Sequence, residues 1–129
     1  MRLTLEVSAG ELIDRITILE LKLSRLPDSC RPSLRRELAI ARGTRARAIA
    51  PSRSVRALTQ ALREVNRELW DLEEELRGCE SGGRFGKRFV ALARRVYLVN
   101  DRRAALKQRL DKILGSSLRE HKSHTLPDV

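Results

Sequence analysis

Apolar residues recur along most of this chain in alternating steps of four and three, the spacing that gathers them on one side of an α-helix. Leu12, Ile16, Leu19, Leu23 and Leu26 form a first stripe, and Leu58, Leu62, Val65, Leu69, Leu72 and Leu76 form another. The longest runs through Phe85, Phe89, Leu92, Val96, Val99, Arg103, Leu106, Leu110 and Ile113, with an arginine where an apolar residue is expected. A thinner stripe of Leu34, Leu38 and Ala41 predicts a weaker helix from about Pro32 to Arg42. The chain therefore predicts an all-α fold, an antiparallel helical bundle of three to four helices. Before the first helix, Leu3, Leu5 and Val7 alternate with polar residues, so residues 1–7 are expected to form a short N-terminal strand or extended arm.

Boundary residues sharpen these elements. Ser8-Ala9-Gly10-Glu11 fits a capping box, in which the serine accepts from a backbone N–H and the glutamate reaches back, and Pro27-Asp28 stops the helix that follows. Gly43 through Arg53 mix helix formers with breakers, which predicts a basic loop over 43–53. Ser54 is the expected N-cap of the third helix, and Gly78 its end. After a Ser81-Gly82-Gly83 turn, the fourth helix should span Arg84 to Leu114, roughly 45 Å at 1.5 Å per residue. Residues 115–129 read as a polar tail carrying His121 and His124, without the companions of a metal site. Ile13, Ile18 and Leu21 widen the first stripe beyond one face, so a homodimer is expected through that helix, with Leu3–Val7 as possible support.

Length and charge bound the rest. A chain of 129 residues fits one domain, 1–129, able to bury a continuous core. No apolar run approaches the ~18 residues of a membrane span, and the N-terminus lacks a signal-peptide apolar stretch. Cys30 and Cys79 lie far apart with no paired spacing, which predicts free thiols, no zinc site and a cytoplasmic protein. No Gly-rich phosphate loop, H-E-x-x-H or Ser-His-Asp arrangement is present, so neither cofactor nor catalytic motif is expected. The net charge of +10 is concentrated. Residues 31–63 carry nine arginines against Glu37 alone, and Arg42, Arg45 and Arg47 at their centre are candidate polyanion contacts unless the segment is simply a solvated face.

Three segments carry a resemblance. They are Gly10-Glu11-Leu12-Ile13-Asp14-Arg15-Ile16-Thr17-Ile18-Leu19-Glu20-Leu21-Lys22, then Val65-Asn66-Arg67-Glu68-Leu69-Trp70, and Leu92-Ala93-Arg94-Arg95-Val96-Tyr97 leading into Asn100-Asp101-Arg102-Arg103-Ala104-Ala105-Leu106-Lys107. In this order they resemble the bacterial domain-of-unknown-function family 6165. The resemblance implies a helical bacterial protein, reported near sugar-transfer and cell-surface polysaccharide genes, with no established reaction. The family's Glu-Glu-Lys-Ser-Tyr tail differs here, where the chain has Glu120-His121-Lys122-Ser123-His124.

The polar residues of these segments supply the candidate chemistry. Asn100, Arg103 and Lys107 stand in one column on the fourth helix, a set of donors suited to a carboxylate or phosphate. Arg103 cannot shed its charge, so it pairs with Glu11 or Asp14 beside a solvated Lys107, or it awaits an anionic ligand. Trp70, Tyr97, Phe85 and Phe89 lie on or beside apolar stripes and read as core, which leaves no spare aromatics for base stacking. Three functions fit. The first is a non-enzymatic helical binding or scaffold protein, with a sugar-transferring enzyme as the partner that the resemblance implies. The second is a small helical enzyme on an anionic metabolite, with the architecture of the all-helical chorismate mutases. The third is sequence-independent nucleic-acid binding through residues 31–63.

Overall fold

A computed structural model describes residues 1–115. Four α-helices make up the described chain: α1 (Ala9–Arg25), α2 (Arg31–Ala48), α3 (Arg53–Ser81) and α4 (Lys87–Ile113), with a single 3₁₀ turn, Asp28–Cys30, between the first two. Residues 1–7 are an exposed extended arm, and no strand occurs among the described residues. A lone strand has no partner for its backbone groups, and solvent serves them instead.

Four boundaries differ from the expected ones for local reasons. The 43–53 loop is mostly helix, because α2 runs through Gly43 to Ala48. Arg45, Ala46, Arg47 and Ala48 are strong helix formers that outweigh one glycine, and the Thr44 hydroxyl donates to the Ile40 carbonyl. The break falls at Ile49–Ser52, where Pro51 pushes its predecessor into extended backbone. Ser52, rather than Ser54, caps α3, its hydroxyl accepting from the Val55 N–H at 3.1 Å. At the other end α3 passes Gly78 and turns at Gly82-Gly83, where Gly83 adopts a φ of 65°. α4 starts at Lys87, which leaves Phe85 outside the helix and 53% exposed, its ring edge-on to Phe89 with centroids 5.3 Å apart.

α3 and α4 form an antiparallel hairpin, and α1 lies against both, parallel to α3 and antiparallel to α4. α2 folds back through the 27–30 turn to pack on α1. This explains the wide apolar surface of α1: Ile13 meets Val55, Leu58, Leu62 and Leu110 of the hairpin, while Ile16 and Leu19 meet Leu34, Leu38 and Ala41 of α2. Ile13, Ile16 and Leu19 are therefore used within the chain, while Ile18 and Leu21 are half-buried and belong to neither cluster. A third core cluster, Val65, Leu69, Leu72, Cys79, Leu92 and Val99, lies between α3 and α4 alone. α1 has 17 residues against 29 in α3, roughly 25 Å against 43 Å, so the hairpin extends well beyond it. At the C-terminal end of α1, Arg25 reaches Asp71 and lies 5.9 Å from the centre of the Trp70 ring. Of the aromatic residues expected in the core, Phe89 packs against the third cluster and the others are less covered. Trp70 is only partly buried, lying against Arg25 at the end of α1, and Tyr97 is exposed because it stands off the stripe by which α4 packs on α3.

Candidate functional site

Where α1, α3 and α4 meet, the apolar core gives way to a buried polar cluster. It begins with the close approach of α1 to α4. Gly10 lies in the first turn of α1, and a side chain there would overlap the Lys107 carbonyl oxygen and stand 2.9 Å from Asp111 Oδ1. The bare backbone lets the Gly10 N–H donate to Asp111 Oδ1 at 2.7 Å, so a carboxylate of α4 satisfies one of the orphan donors of α1. Asp111 is 1% exposed, and its Oδ2 has no hydrogen-bond partner among the described residues.

One turn further on, Asp14 is equally buried. Arg103 grips it with both ends of its guanidinium, Nε to Oδ1 at 3.0 Å and Nη2 to Oδ2 at 2.5 Å. Asn66 of α3 donates to Asp14 Oδ1 at 2.9 Å and to Thr17 Oγ at 2.8 Å, and the Thr17 hydroxyl donates to the Asp14 carbonyl. Lys107 places its ammonium 2.7 Å from Glu11 Oε2 and 4.0 Å from Asp14 Oδ2. The expected solvated Lys107 is thus buried, at 5% exposure, because the chain following Gly10 lies directly over it. Glu11 completes only half of the capping box: Ser8 accepts from its N–H at 3.1 Å, while its carboxylate turns to Lys107. Asn100, partly buried, sits one turn before Arg103 on α4.

Three helices therefore converge on an ion-paired core in which Glu11 and Asp14 face Arg103 and Lys107, and Asp111 holds the Gly10 N–H one turn beyond. Of the residues expected there, the structure brings Glu11, Asp14, Arg103 and Lys107 together. It adds Gly10, Thr17, Asn66 and Asp111. Asp111 had a legible signal, since it stands four residues after Lys107 and extends the same column on α4.

The arginine-rich segment divides differently. Arg42 bonds Glu20 at 3.2 Å, and Arg63 reaches the same carboxylate, so Glu20 joins α1 to both α2 and α3. Arg42 and Arg45 line a cavity of about 290 Å³ at the α2–α3 break, together with Ile49, Pro51, Val55 and Arg56. Arg47 is exposed and does not line it; Arg56 takes that place. Elsewhere on the surface, the hydrogen bond and charge of Glu68 hold the Arg95 guanidinium above its ordinary pKa. Cys30 and Cys79 are free thiols, and no group among the described residues could hold a metal ion. His121 and His124 lie outside the described residues.

These features define a class, an all-α bundle whose three main helices are pinned through a buried ion-paired cluster. The particular family follows from comparison. A family model described as a family of unknown function, DUF6165, matches residues 3–128, and the chain belongs to that family. No curated protein and no solved structure matches it. No helix among the described residues is long and apolar enough to cross a membrane.

Proposed function

We propose that this is a non-enzymatic helical binding protein, a scaffold that works as a homodimer and whose buried cluster locks the bundle instead of performing chemistry. One observation carries the reading: the two cations of the cluster, half-buried Arg103 and buried Lys107, already face carboxylates of their own chain. A helical enzyme that gripped a dicarboxylate with inward Arg and Lys would need those cations for its substrate, which favours the scaffold over the metabolite enzyme. The gene setting reported for the family supports a sugar-transferring enzyme of cell-surface assembly as the partner, by analogy alone.

The test is a double-mutant cycle on Arg103→Met and Asp14→Asn, read by chemical denaturation. Removing one partner of a buried pair costs about 3–5 kcal/mol because it strands the other. For a lock, each single variant should lose stability on that scale, and the double variant should be no worse than either. An Arg103→Met protein as stable as the parent would instead favour a cation held in wait for an anionic ligand.

The cavity at the α2–α3 break favours a second reading, anion binding, since Arg42, Arg45 and Arg56 rim apolar walls. If it takes nucleic acid or another polyanion, log affinity should fall linearly with log salt, and replacing Arg42, Arg45 and Arg56 together should flatten the slope. Binding indifferent to salt would refute it.

A further inference from the structure

The buried face beneath α1 continues past the end of α1. On α4, Val90, Tyr97, Ala104 and Asp111 are spaced by seven and share one side of the helix. Ala104 and Asp111 are buried, with Gly10 of α1 lying on Asp111. Val90 and Tyr97 are exposed, at 51% and 70%. On α3 the same seven-residue spacing runs through Thr59, Asn66, Glu73 and Glu80. Thr59 and Asn66 are buried, Asn66 bonding α1, whereas Glu73 and Glu80 are exposed. The hairpin thus carries an open track along the line that α1 leaves, apolar on its α4 wall and acidic on its α3 wall. Phe89 and Ala93 are only half-covered beside it.

The two edges of the hairpin differ in a way that identifies the occupant. Along one edge the chain staples itself: Arg88 pairs with Glu75 at 2.5 Å and Arg95 with Glu68 at 2.7 Å, again in steps of seven. Along the open edge stand Glu73 and Glu80 on α3, while Lys87 and Arg94 lie on the outer face of α4 beyond the Val90–Tyr97 ridge, and none of these four has an ion pair among the described residues. Anything covering the track must offer an apolar ridge flanked by bases to meet Glu73 and Glu80. The α4 of this same chain offers that, with Val90 and Tyr97 flanked by Lys87 and Arg94.

We propose that the open track is covered by the same face of a second copy. The inference rests on the homodimer in the scaffold reading and moves its interface from α1 to the α3–α4 hairpin. Under a two-fold axis the Val90–Tyr97 ridges meet each other, and Glu73 and Glu80 of each copy face Arg94 and Lys87 of the other. Four helices then surround a seam that two cannot close.

Light scattering and sedimentation equilibrium of the full chain at low salt test this. The parent should run at twice 14.7 kDa at micromolar concentration. Tyr97→Glu puts a charge at a position already exposed in the single chain, so it should leave the helical signal intact and weaken dimerisation by about tenfold or more. Glu73→Lys or Arg94→Glu alone should also weaken the dimer, and the double variant, which restores opposite charges across the axis, should recover it. A parent that stays monomeric overturns the inference and the homodimer together. A dimer indifferent to Tyr97→Glu and to both charge reversals, but dissociated by Ile18→Glu, overturns the hairpin interface and leaves a homodimer held through α1.

Discussion

Replacing Gly10 with alanine puts the close approach of α1 and α4 to a direct test. Inside a helix, alanine is ordinarily favoured over glycine by about 1 kcal/mol. Here the added methyl would overlap the Lys107 carbonyl and crowd Asp111 Oδ1 at 2.9 Å, and neither neighbour is the free end of a flexible chain. Overpacking of this kind costs about 1–3 kcal/mol. Relief requires α1 to lift from α4, which stretches the buried bond from the Gly10 N–H to Asp111 and strands both groups, for about 1–3 kcal/mol more. The helix-forming gain offsets only part of this, so Gly10→Ala should lose about 2–4 kcal/mol. With a urea dependence of about 1–3 kcal/mol per molar for a small protein, the unfolding midpoint should fall by roughly 1–2 M. Gly78→Ala is the control. That glycine is exposed in α3 with only Arg84 Nη2 at 4.0 Å from the new methyl, so the midpoint should rise, by about 0.5–1 kcal/mol of stability. If Gly10→Ala raised the midpoint as Gly78→Ala does, the account of α1 docking on α4 would be wrong.

Two further substitutions separate core from surface. Leu62, fully buried where α1, α3 and α4 meet, should lose about 2–5 kcal/mol as Leu62→Ala in the same titration. Arg95→Ala removes the exposed pair to Glu68 and should leave the urea midpoint almost where it is, with any difference fading in salt.

Sequence periodicity located the helices well and their covering poorly. The 4-3 stripes of α3 and α4 became the hairpin core, because a stripe long enough to run through Leu69, Leu92 and Val99 can be hidden only against another stripe. Periodicity does not say how much of a stripe's flank is covered, so Tyr97 and Phe85 read as core although Tyr97 stands off the face that meets α3 and Phe85 precedes the first turn of α4. The α2 boundary lies beyond Gly43 because one glycine among Arg and Ala does not stop a helix, whereas Pro51 has no N–H with which to continue one. At the site, Arg103 declared itself by standing on an apolar seam, and Asp14 as its partner was one of two acids near enough along α1. Gly10 and Asp111 were harder to see. A glycine in a first turn and an aspartate in a last turn are ordinary in isolation, and they acquire meaning only when the fold brings together two residues 101 positions apart.

That separation also orders the events of folding. The hairpin pairs, Arg88 with Glu75 and Arg95 with Glu68, join residues 13 and 27 apart, and α2 can settle on α1 as soon as both exist. Asp14 must wait for Arg103, 89 residues later, which at about 5–20 residues per second of synthesis is a delay of several seconds. During that interval α1 carries an unmet carboxylate on a face destined for burial, and its first turn has no Asp111 to receive the Gly10 N–H. Chains cut before α4 can therefore form helices but cannot close the bundle. Closure of the bundle waits on α4, the helix that brings Arg103, Lys107 and Asp111 to α1.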